Sequence, residues 1–208
     1  MPKVTQQYRD ARRDQILAAA ARCFLRDGFH ATSMQDLFAE AGLSAGAVYR
    51  YFTGKDEVIT AIAEENMRDV LTMIHNVATR RPGQSLGTVL ADVLQLLRAK
   101  DAQDGLGRMA ILVWAEALRN PSLADQLRDL LNRMHTDLTE LVEEHQGAGN
   151  LPRDVAAGAI ARALISMMSG YILQLTILGP GAVDGVPGAV RSLWPEPIAI
   201  REPADPDG

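Results

Sequence analysis

Apolar residues recur every three or four positions along most of the chain, and no segment alternates between apolar and polar residues as a strand does. This periodicity predicts an all-α protein with about nine helices. We expect a helix of about two turns after residue 44, and further helices at 8–27, 34–41, 55–79, 85–99, 106–118, 122–144, 152–178 and 186–193. Segments rich in Gly, Pro and Asn separate many of them, as loops between helices require.

The segment 28–55 has the pattern of two short helices joined by a tight turn. The first of these helices has one apolar face, which consists of Met34, Leu37, Phe38 and Ala41. Thr32 followed by Gln35 predicts a capping box at its start. Gly42 permits the sharp turn, and Ser44 can cap the next helix.

The second short helix is better suited to docking than to packing. Its start, Ala45-Gly46-Ala47, has almost no side-chain bulk, so another surface can approach the backbone closely. We expect Val48 and Phe52 to face inward and Arg50 to point outward. An exposed cation beside tyrosines suits a DNA major groove and its phosphates. The alternative is a helical hairpin with ordinary surface charges.

Lys55 stands in the first turn of the following helix, where the helix macrodipole disfavours a cation. Asp56 and Glu57 beside it are the charges that this position favours. We therefore expect Lys55 to serve a partner outside the fold, with a phosphate as the natural candidate.

These features together resemble the N-terminal domain of the TetR family of transcriptional regulators, over residues 12–59. The resemblance rests on the lead-in of the form RxxILxAAxxxFLxxGF, the Thr32-Ser33 helix start, the AGLS turn and the box YxYFxxKxxV. It implies a helix-turn-helix held by three helices, a mainly helical C-terminal domain, a homodimer, and release from operator DNA when a small molecule binds.

The resemblance also assigns roles to particular positions of this chain. The helix start, with Ser33, lies at the DNA, and the family's phosphate contacts fall on Thr32, Tyr49, Tyr51 and Lys55. Its recognition-helix positions fall on Ala45, Gly46, Ala47 and Arg50. Because the first three of these offer no side-chain donor, base reading rests on few residues, and DNA shape can contribute to specificity.

The charge distribution is uneven, which changes what the net charge of −5 implies. Residues 1–55 hold eight Lys and Arg against five Asp and Glu, whereas the remainder is acidic. The basic residues near the start, namely Lys3, Arg9, Arg12 and Arg13, suit an arm that lies along a DNA backbone. This asymmetry supports double-stranded DNA as a partner.

We expect the chain to divide at residue 54 into a DNA-binding domain, 1–54, and a ligand-binding and dimerisation domain, 55–194, and we expect the last residues, 195–208, to form a mobile tail. The helix from Lys55 links the two domains. The single Cys23 excludes an internal disulfide, and we interpret it as apolar filler rather than a redox sensor.

We expect a cytoplasmic protein without a membrane partner. The first residues contain no apolar stretch of the kind a secretory signal requires. The apolar run 163–179 is close to the lower limit for crossing a bilayer, but it contains polar residues such as Ser169 and Gln174. A buried helix of a soluble protein is the preferred interpretation.

The helix at 152–178 carries a stripe of small residues beside a bulky apolar surface. The stripe consists of Ala159, Ala163, Ser166 and Gly170. A helix that is apolar on two sides must be buried on two sides, and small residues permit close approach of another helix. We predict a dimer interface here, where the resemblance also implies one. The alternative is burial of both sides within one subunit.

Methionine and aromatic residues on four of the predicted helices suggest an apolar pocket for an effector of unknown identity. The candidate lining residues are Met67, Met109, Trp114, Met134, Met168 and Tyr171, with Met73 nearby. These residue types also fill ordinary cores. Glu116 could anchor a cationic or hydroxylated ligand, although an exposed glutamate is the simpler interpretation.

Nothing in the chain indicates an enzyme or a cofactor. No nucleophile elbow, phosphate-binding loop or dinucleotide fingerprint is present, and the scattered histidines do not predict a metal site. The best hypothesis is a ligand-responsive regulator, most simply a repressor, that binds a palindromic operator as a homodimer. The alternative from another class is a helical adaptor for protein partners. The sequence leaves open the effector, the operator, and repression as opposed to activation.

Overall fold

A computed structural model describes residues 5–80 and 84–194, and over these residues the chain is helical and contains no strand. The predicted all-α fold is confirmed. The helices are α1 (Gln6–Asp27), α2 (Met34–Ala41), α3 (Ala45–Val48), α4 (Lys55–Arg80), α5 (Leu86–Asp104), α6 (Leu106–Ala117), α7 (Pro121–Gly147), α8 (Ala157–Leu178) and α9 (Val186–Leu193), with a 3-10 turn at Pro180–Val183. The expected turn at 81–83, Lys3 and the expected tail at 195–208 lie outside the described residues.

The predicted cap of α2 was one residue out of register. The N-cap is Ser33 rather than Thr32, and its capping box is completed by Asp36 rather than Gln35. Gly42 ends the helix in the left-handed region, with φ of 65°, as the turn required. Ser44 is the N-cap of α3, but its side chain makes no capping hydrogen bond.

The third helix is shorter than predicted. It makes a single turn, and the chain continues through a hydrogen-bonded turn in which Tyr51 and Phe52 donate their N–H groups to the carbonyl of Val48. Val48 and Phe52 are buried, as predicted. They anchor this short segment to the rest of the N-terminal core.

The N-terminal core is a cluster of buried side chains from α1 to α4. Phe24 and Phe29 meet edge to face at its centre, with ring centroids 4.7 Å apart. Cys23 is fully buried beside them, and this burial raises the pKa of its thiol. A protonated, enclosed thiol acts as apolar filler.

The N-terminal core extends beyond residue 54. The N-terminal core includes Val58, Ile59 and Ile62 of α4, and it also takes in Met109 and Val113 of α6. Leu123 of α7 belongs to this core as well, so α4, α6 and α7 all contribute to it.

The C-terminal core surrounds α8, which packs against α5, α6, α7 and the 3-10 turn. Leu164, Met168 and Leu175 are buried in this core. Within the described residues, α8 is the one helix whose length and apolar composition would also allow it to cross a membrane. Because α8 lies in this core, one of its two apolar sides is buried within the subunit.

The start of α8 differs from the prediction of a helix from residue 152. The helix begins at Ala157, because the preceding loop is held in a different conformation by side-chain hydrogen bonds. Gln146 Nε2 donates to the carbonyls of Pro152 and Val155, at 2.7 and 2.8 Å. Arg153 in turn donates to the carbonyls of Gln146 and Gly147 at the end of α7.

Candidate DNA-binding surface and effector cavity

The surface around α3 is small, exposed and open to a docking partner. Ala45, Gly46 and Arg50 are exposed, and Ala47 is partly exposed. A Cβ atom added to Gly46 would meet nothing within 4 Å. The backbone of α3 can therefore be approached closely, and Arg50 is the one cation that α3 and its following turn, 45–52, present.

Tyr49 holds its hydroxyl at this surface. Its side chain is half-exposed, and its ring packs edge to face on Phe38 of α2, with centroids 5.3 Å apart. Among the described residues its hydroxyl has no hydrogen-bond partner. Tyr51 is partly buried against the N-terminal core. The ring contact fixes the position of Tyr49 and leaves its polar end free.

Lys55 makes hydrogen bonds within the fold, which the sequence did not predict. Its Nζ donates to the carbonyl oxygens of Phe29 and Thr32, at 2.6 and 3.1 Å. These bonds tie the start of α4 to the loop before α2. An ammonium has three donors, so one remains for a phosphate.

Thr32 does not lie where a direct phosphate contact requires it. The residue is 2% exposed, and its hydroxyl donates to the carbonyl of Gly28 at 2.8 Å. Ser33 is exposed, and its hydroxyl donates to Asp36 at 2.6 Å. Thr32 therefore supports the loop, and Ser33 caps α2 at the surface.

The predicted basic arm is partly helical. Arg9, Arg12 and Arg13 all lie on α1. Arg13 pairs with Glu65 at 2.8 Å and stacks over Phe52, so it stabilises the junction of α1 with α4. Arg9 and Arg12 remain on the exposed N-terminal part of the helix, where Arg12 bonds to the hydroxyl of Tyr8.

A cavity of about 80 Å³ lies between α4, α5, α6, α7 and α8. Four of the residues predicted for an effector pocket line it, namely Met67, Trp114, Met134 and Met168. The other lining residues are Ala63, Asn66, Val70, Leu97, Leu106, Ala110, Val113, Leu127, Leu131, Ile165, Ser169 and Ile172.

Two residues predicted for the pocket lie elsewhere. Met109 is buried in the N-terminal core, because the face of α6 that carries it packs on that core. Tyr171 is buried in the C-terminal core, and this burial raises the pKa of its hydroxyl. Met73 packs against the same C-terminal core. Helical spacing places such residues inside, but it does not decide between core and cavity.

Asn66 and Ser169 are polar residues of the cavity lining that the sequence analysis did not predict. Asn66 follows a run of acidic residues on α4, and Ser169 interrupts the most apolar segment of α8. A polar residue on the inner face of an apolar helix is the sequence feature that could have indicated these two positions. The cavity lining contains no ionisable side chain within the part of the chain that the structure describes.

Comparisons with known proteins agree with this arrangement. Residues 16–62 match the family of bacterial regulatory proteins of the tetR type, and residues 86–191 match the C-terminal domain of BetI-type transcriptional repressors. The second match alone covers half of the chain. The chain belongs to the TetR family of transcriptional regulators.

Individual relatives support the same conclusion. The chain is 31% identical over 166 residues to a nicotine-responsive repressor of Paenarthrobacter nicotinovorans, covering 78% of this chain and 82% of the relative. It is 29% identical over 177 residues to a transcriptional repressor of Mycobacterium tuberculosis, covering 84% and 88%. The structure of GusR from Salmonella enterica shares the fold, with a TM-score of 0.76 and 24% identity over 93% of this chain and 99% of that one.

The cavity of this TetR-family regulator borders directly on its DNA-binding domain. Ala63 and Val113 line the cavity and belong to the N-terminal core as well. At the end of α6, Glu116 Oε2 lies 3.2 Å from Nε2 of His30, in the loop before α2. Glu116 therefore faces the DNA-binding domain and does not anchor a ligand in the cavity.

The stripe of small residues on α8 faces away from the core. Ala159, Ala163 and Ser166 are exposed, and a Cβ atom added to Gly170 would meet nothing within 4 Å. The same side continues into Leu173 and Ile177, which are 47% and 65% exposed. Leu178 follows at the end of the helix. The alternative in which one subunit buries both sides of α8 is wrong for this structure.

Proposed function

We propose that this regulator binds a palindromic operator as a homodimer and leaves it when a small molecule enters the cavity. The observation that carries the proposal is the shared wall of Ala63 and Val113 between the cavity and the N-terminal core. A change in the cavity reaches the DNA-binding domain through one layer of side chains. Such a regulator acts in the cytoplasm as a repressor.

The DNA-binding roles fall on the surface around α3. Ala45, Gly46 and Ala47 allow the backbone into the major groove, and Arg50 reads a guanine edge or grips a phosphate. Tyr49, Tyr51 and the remaining donor of Lys55 contact the backbone. Ser33 stands at the N-terminus of α2, where the helix dipole favours a phosphate.

The dimer contact falls on the outer side of α8. Small residues there permit the close approach of the same helix of a second copy, and Leu173 and Ile177 supply apolar area. A two-fold arrangement would place two copies of α3 about 34–36 Å apart, as successive major grooves require. Pairing of this side would also cover the largest apolar residues that α8 exposes.

Release requires that the effector bind the two conformations with different affinity. The cavity touches α4 through Ala63, Met67 and Val70 and touches α6 through Trp114. A ligand that enlarges the cavity pushes these helices, and α4 carries Lys55 at its other end. The relative from Paenarthrobacter nicotinovorans is named as nicotine-responsive, which supports a small-molecule effector.

The test is fluorescence anisotropy with labelled DNA from the region upstream of the regulator's own gene, at two salt concentrations and against unrelated DNA. We expect tight, saturable binding that survives competitor DNA. Equal affinity for the upstream fragment and for unrelated DNA would contradict the presence of an operator in the upstream region. Failure to bind any DNA at low salt would contradict DNA binding itself and favour the adaptor hypothesis.

A further inference from the structure

The cavity restricts the chemistry of the molecule that it can hold. Building on the proposed function, we propose that the effector is an uncharged, compact molecule of about one ring that hydrogen-bonds to Asn66 and Ser169. The inference joins three features of the cavity, namely the absence of charge, the position of its polar groups and its size.

The first feature excludes an ionic effector. The described lining has no ionisable side chain, and a charge buried without a partner costs several kcal/mol. Asn66 and Leu106 also line a broad cleft between α1, α4 and the α5–α6 junction, where carboxylates are present. A cationic group could therefore be neutralised only if those carboxylates were available.

Three of the four carboxylates that line the cleft already have cationic partners. Lys100 Nζ lies 2.9 Å from both Asp69 and Asp104. Glu65 pairs with Arg13 at 2.8 Å. The remaining one, Asp14, is exposed to solvent on α1. The cleft that shares Asn66 and Leu106 with the cavity therefore offers little to a cationic head group.

The second feature is a pair of polar side chains in an apolar wall. The amide of Asn66 supplies donors and an acceptor, and the hydroxyl of Ser169 supplies one of each. Neither side chain makes a hydrogen bond within the described residues. A few convergent polar groups in an apolar pocket typically orient a ligand. A neutral amide, hydroxyl or ring nitrogen would complement them.

The third feature is size. The cavity of about 80 Å³ is smaller than the roughly 150 Å³ of a cavity that takes up benzene, so a ring must displace part of the lining. Met67, Met134 and Met168 can move at low cost, because methionine is flexible and unbranched. Occupancy by a single ring would thus enlarge the cavity, whereas a much larger molecule would not fit without separating the helices.

The test uses the fluorescence of Trp114, which lines the cavity. Trp194→Phe leaves Trp114 as the single tryptophan of the chain, which has two. This protein is titrated at pH 7 with benzamide, benzoate and benzylamine, which share one ring and differ in charge. We expect a saturable change with benzamide and at least about tenfold weaker binding of both ions, equivalent to about 1.4 kcal/mol.

Matched variants separate recognition from folding. Asn66→Leu and Ser169→Ala should each weaken benzamide binding about fivefold or more. Asn76→Leu and Ser192→Ala make the same changes at exposed positions of α4 and α9 and should leave binding unchanged. Circular dichroism checks that all four variants fold.

Three results of the binding titrations would overturn the inference: benzoate or benzylamine binding as tightly as benzamide, no saturable change up to the solubility limit of benzamide, or no effect of Asn66→Leu and Ser169→Ala. Operator release is measured separately by anisotropy. Benzamide binding without release would support the inference and contradict the release step. Release by a charged compound bound in the cavity would support the proposed function and overturn the inference.

Discussion

Tyr49 offers a clean test of the proposed DNA surface, because its ring and its hydroxyl have separate roles. The ring packs on Phe38, and the hydroxyl has no partner among the described residues. Tyr49→Phe keeps the ring contact and removes the hydroxyl that we propose contacts a phosphate. We expect binding to operator and unrelated DNA alike to weaken about tenfold or more, since a hydrogen bond to a charged group contributes about 1.5–3 kcal/mol.

The salt dependence of DNA binding should distinguish a hydrogen bond from the Tyr49 hydroxyl from a contact made by a cationic side chain. Tyrosine is neutral and releases no counterion, so the slope of affinity against salt should be unchanged in Tyr49→Phe. Anisotropy titrations at several salt concentrations measure it. Weaker binding to the operator alone would contradict a backbone contact. Lys55 is less suitable for this test, because its substitution also breaks two hydrogen bonds within the fold.

Asp36 makes the capping box of α2 sensitive to pH. The hydroxyl and the backbone N–H of Ser33 both donate to its carboxylate and hold the pKa of Asp36 below its usual range. A carboxylate with a depressed pKa in the folded state stabilises the fold above its unfolded pKa of about 4. That stabilisation is lost as the pH falls through the folded value.

We therefore expect the wild type to be more stable than Asp36→Asn at pH 7, with the difference shrinking below about pH 4. Urea unfolding from pH 7 to pH 3 measures it. Asp137→Asn removes an exposed carboxylate of α7 and controls for the loss of one charge. A difference between wild type and Asp36→Asn that stays constant with pH would contradict this role.

For the residues that the sequence predicted wrongly, the observed roles depend on contacts within the folded chain that helical periodicity does not show. Thr32 and Ser33 both precede α2 and both have a polar residue three positions later, so the capping pattern fits either register. Burial of Thr32 against Gly28 selects Ser33. The carbonyls that bind Lys55 belong to a loop more than 20 residues earlier, and helical periodicity carries no information about them.

At the scale of elements, the crossing of α6 and α8 depends on a glycine. A Cβ atom added to Gly107 would lie 2.2 Å from Thr176 Oγ1 and 3.1 Å from Asp101 Oδ1. The N–H of Gly107 also donates to that Asp101 oxygen at 2.8 Å. Relief of the clash would disturb two hydrogen-bonded side chains at once, because Thr176 Oγ1 donates to the carbonyl of Ile172.

We expect Gly107→Ala to lower the free energy of unfolding by about 1–3 kcal/mol, the usual cost of overpacking. Gly188→Ala is the matched control, since this helical glycine of α9 has nothing within 4 Å of an added Cβ. Its effect should be neutral or stabilising by up to about 1 kcal/mol. Urea unfolding compares the two variants. Equal stability would show that α6 can shift away from α8 at no cost.

The positions of the helices could be predicted from the sequence, whereas the surfaces on which each helix packs were harder to predict. Periodicity located α2 and α9 within a residue, because caps and glycines mark their ends in the sequence. It could not show that Met109 packs on the N-terminal core while Met134 lines the cavity. Both are apolar positions of amphipathic helices, and only the crossing of α6 with α1 and α4 separates them.

At the scale of the whole molecule, the cavity, the DNA surface and the outer side of α8 lie on one connected set of helices. α8 contributes Ser169 and Met168 to the cavity and its opposite side to the proposed dimer. α4 and α6 contribute to the cavity and to the N-terminal core. The sequence indicated each surface separately, but the shared wall between cavity and N-terminal core depends on packing between helices.

Gly170 allows the dimer to be tested without disturbing the protomer. An added Cβ meets nothing within 4 Å, so the first carbon of a leucine side chain at Gly170 clashes with nothing in the subunit, and the substitution removes a helical glycine. In a two-fold contact between α8 helices, the same leucine would enter the interface from both subunits and prevent the close approach that the small residues permit. We expect the variant to sediment as a monomer while the wild type sediments as a dimer.

The variant should also lose operator affinity, because one protomer reaches only one half-site. Gly188→Leu places the same side chain at an open helical glycine of α9, outside the stripe, and should leave both the dimer and operator binding intact. An intact dimer of Gly170→Leu would show that the interface lies elsewhere on the subunit. A monomer that still bound the operator with full affinity would instead contradict the requirement for two half-sites, and with it the palindromic operator.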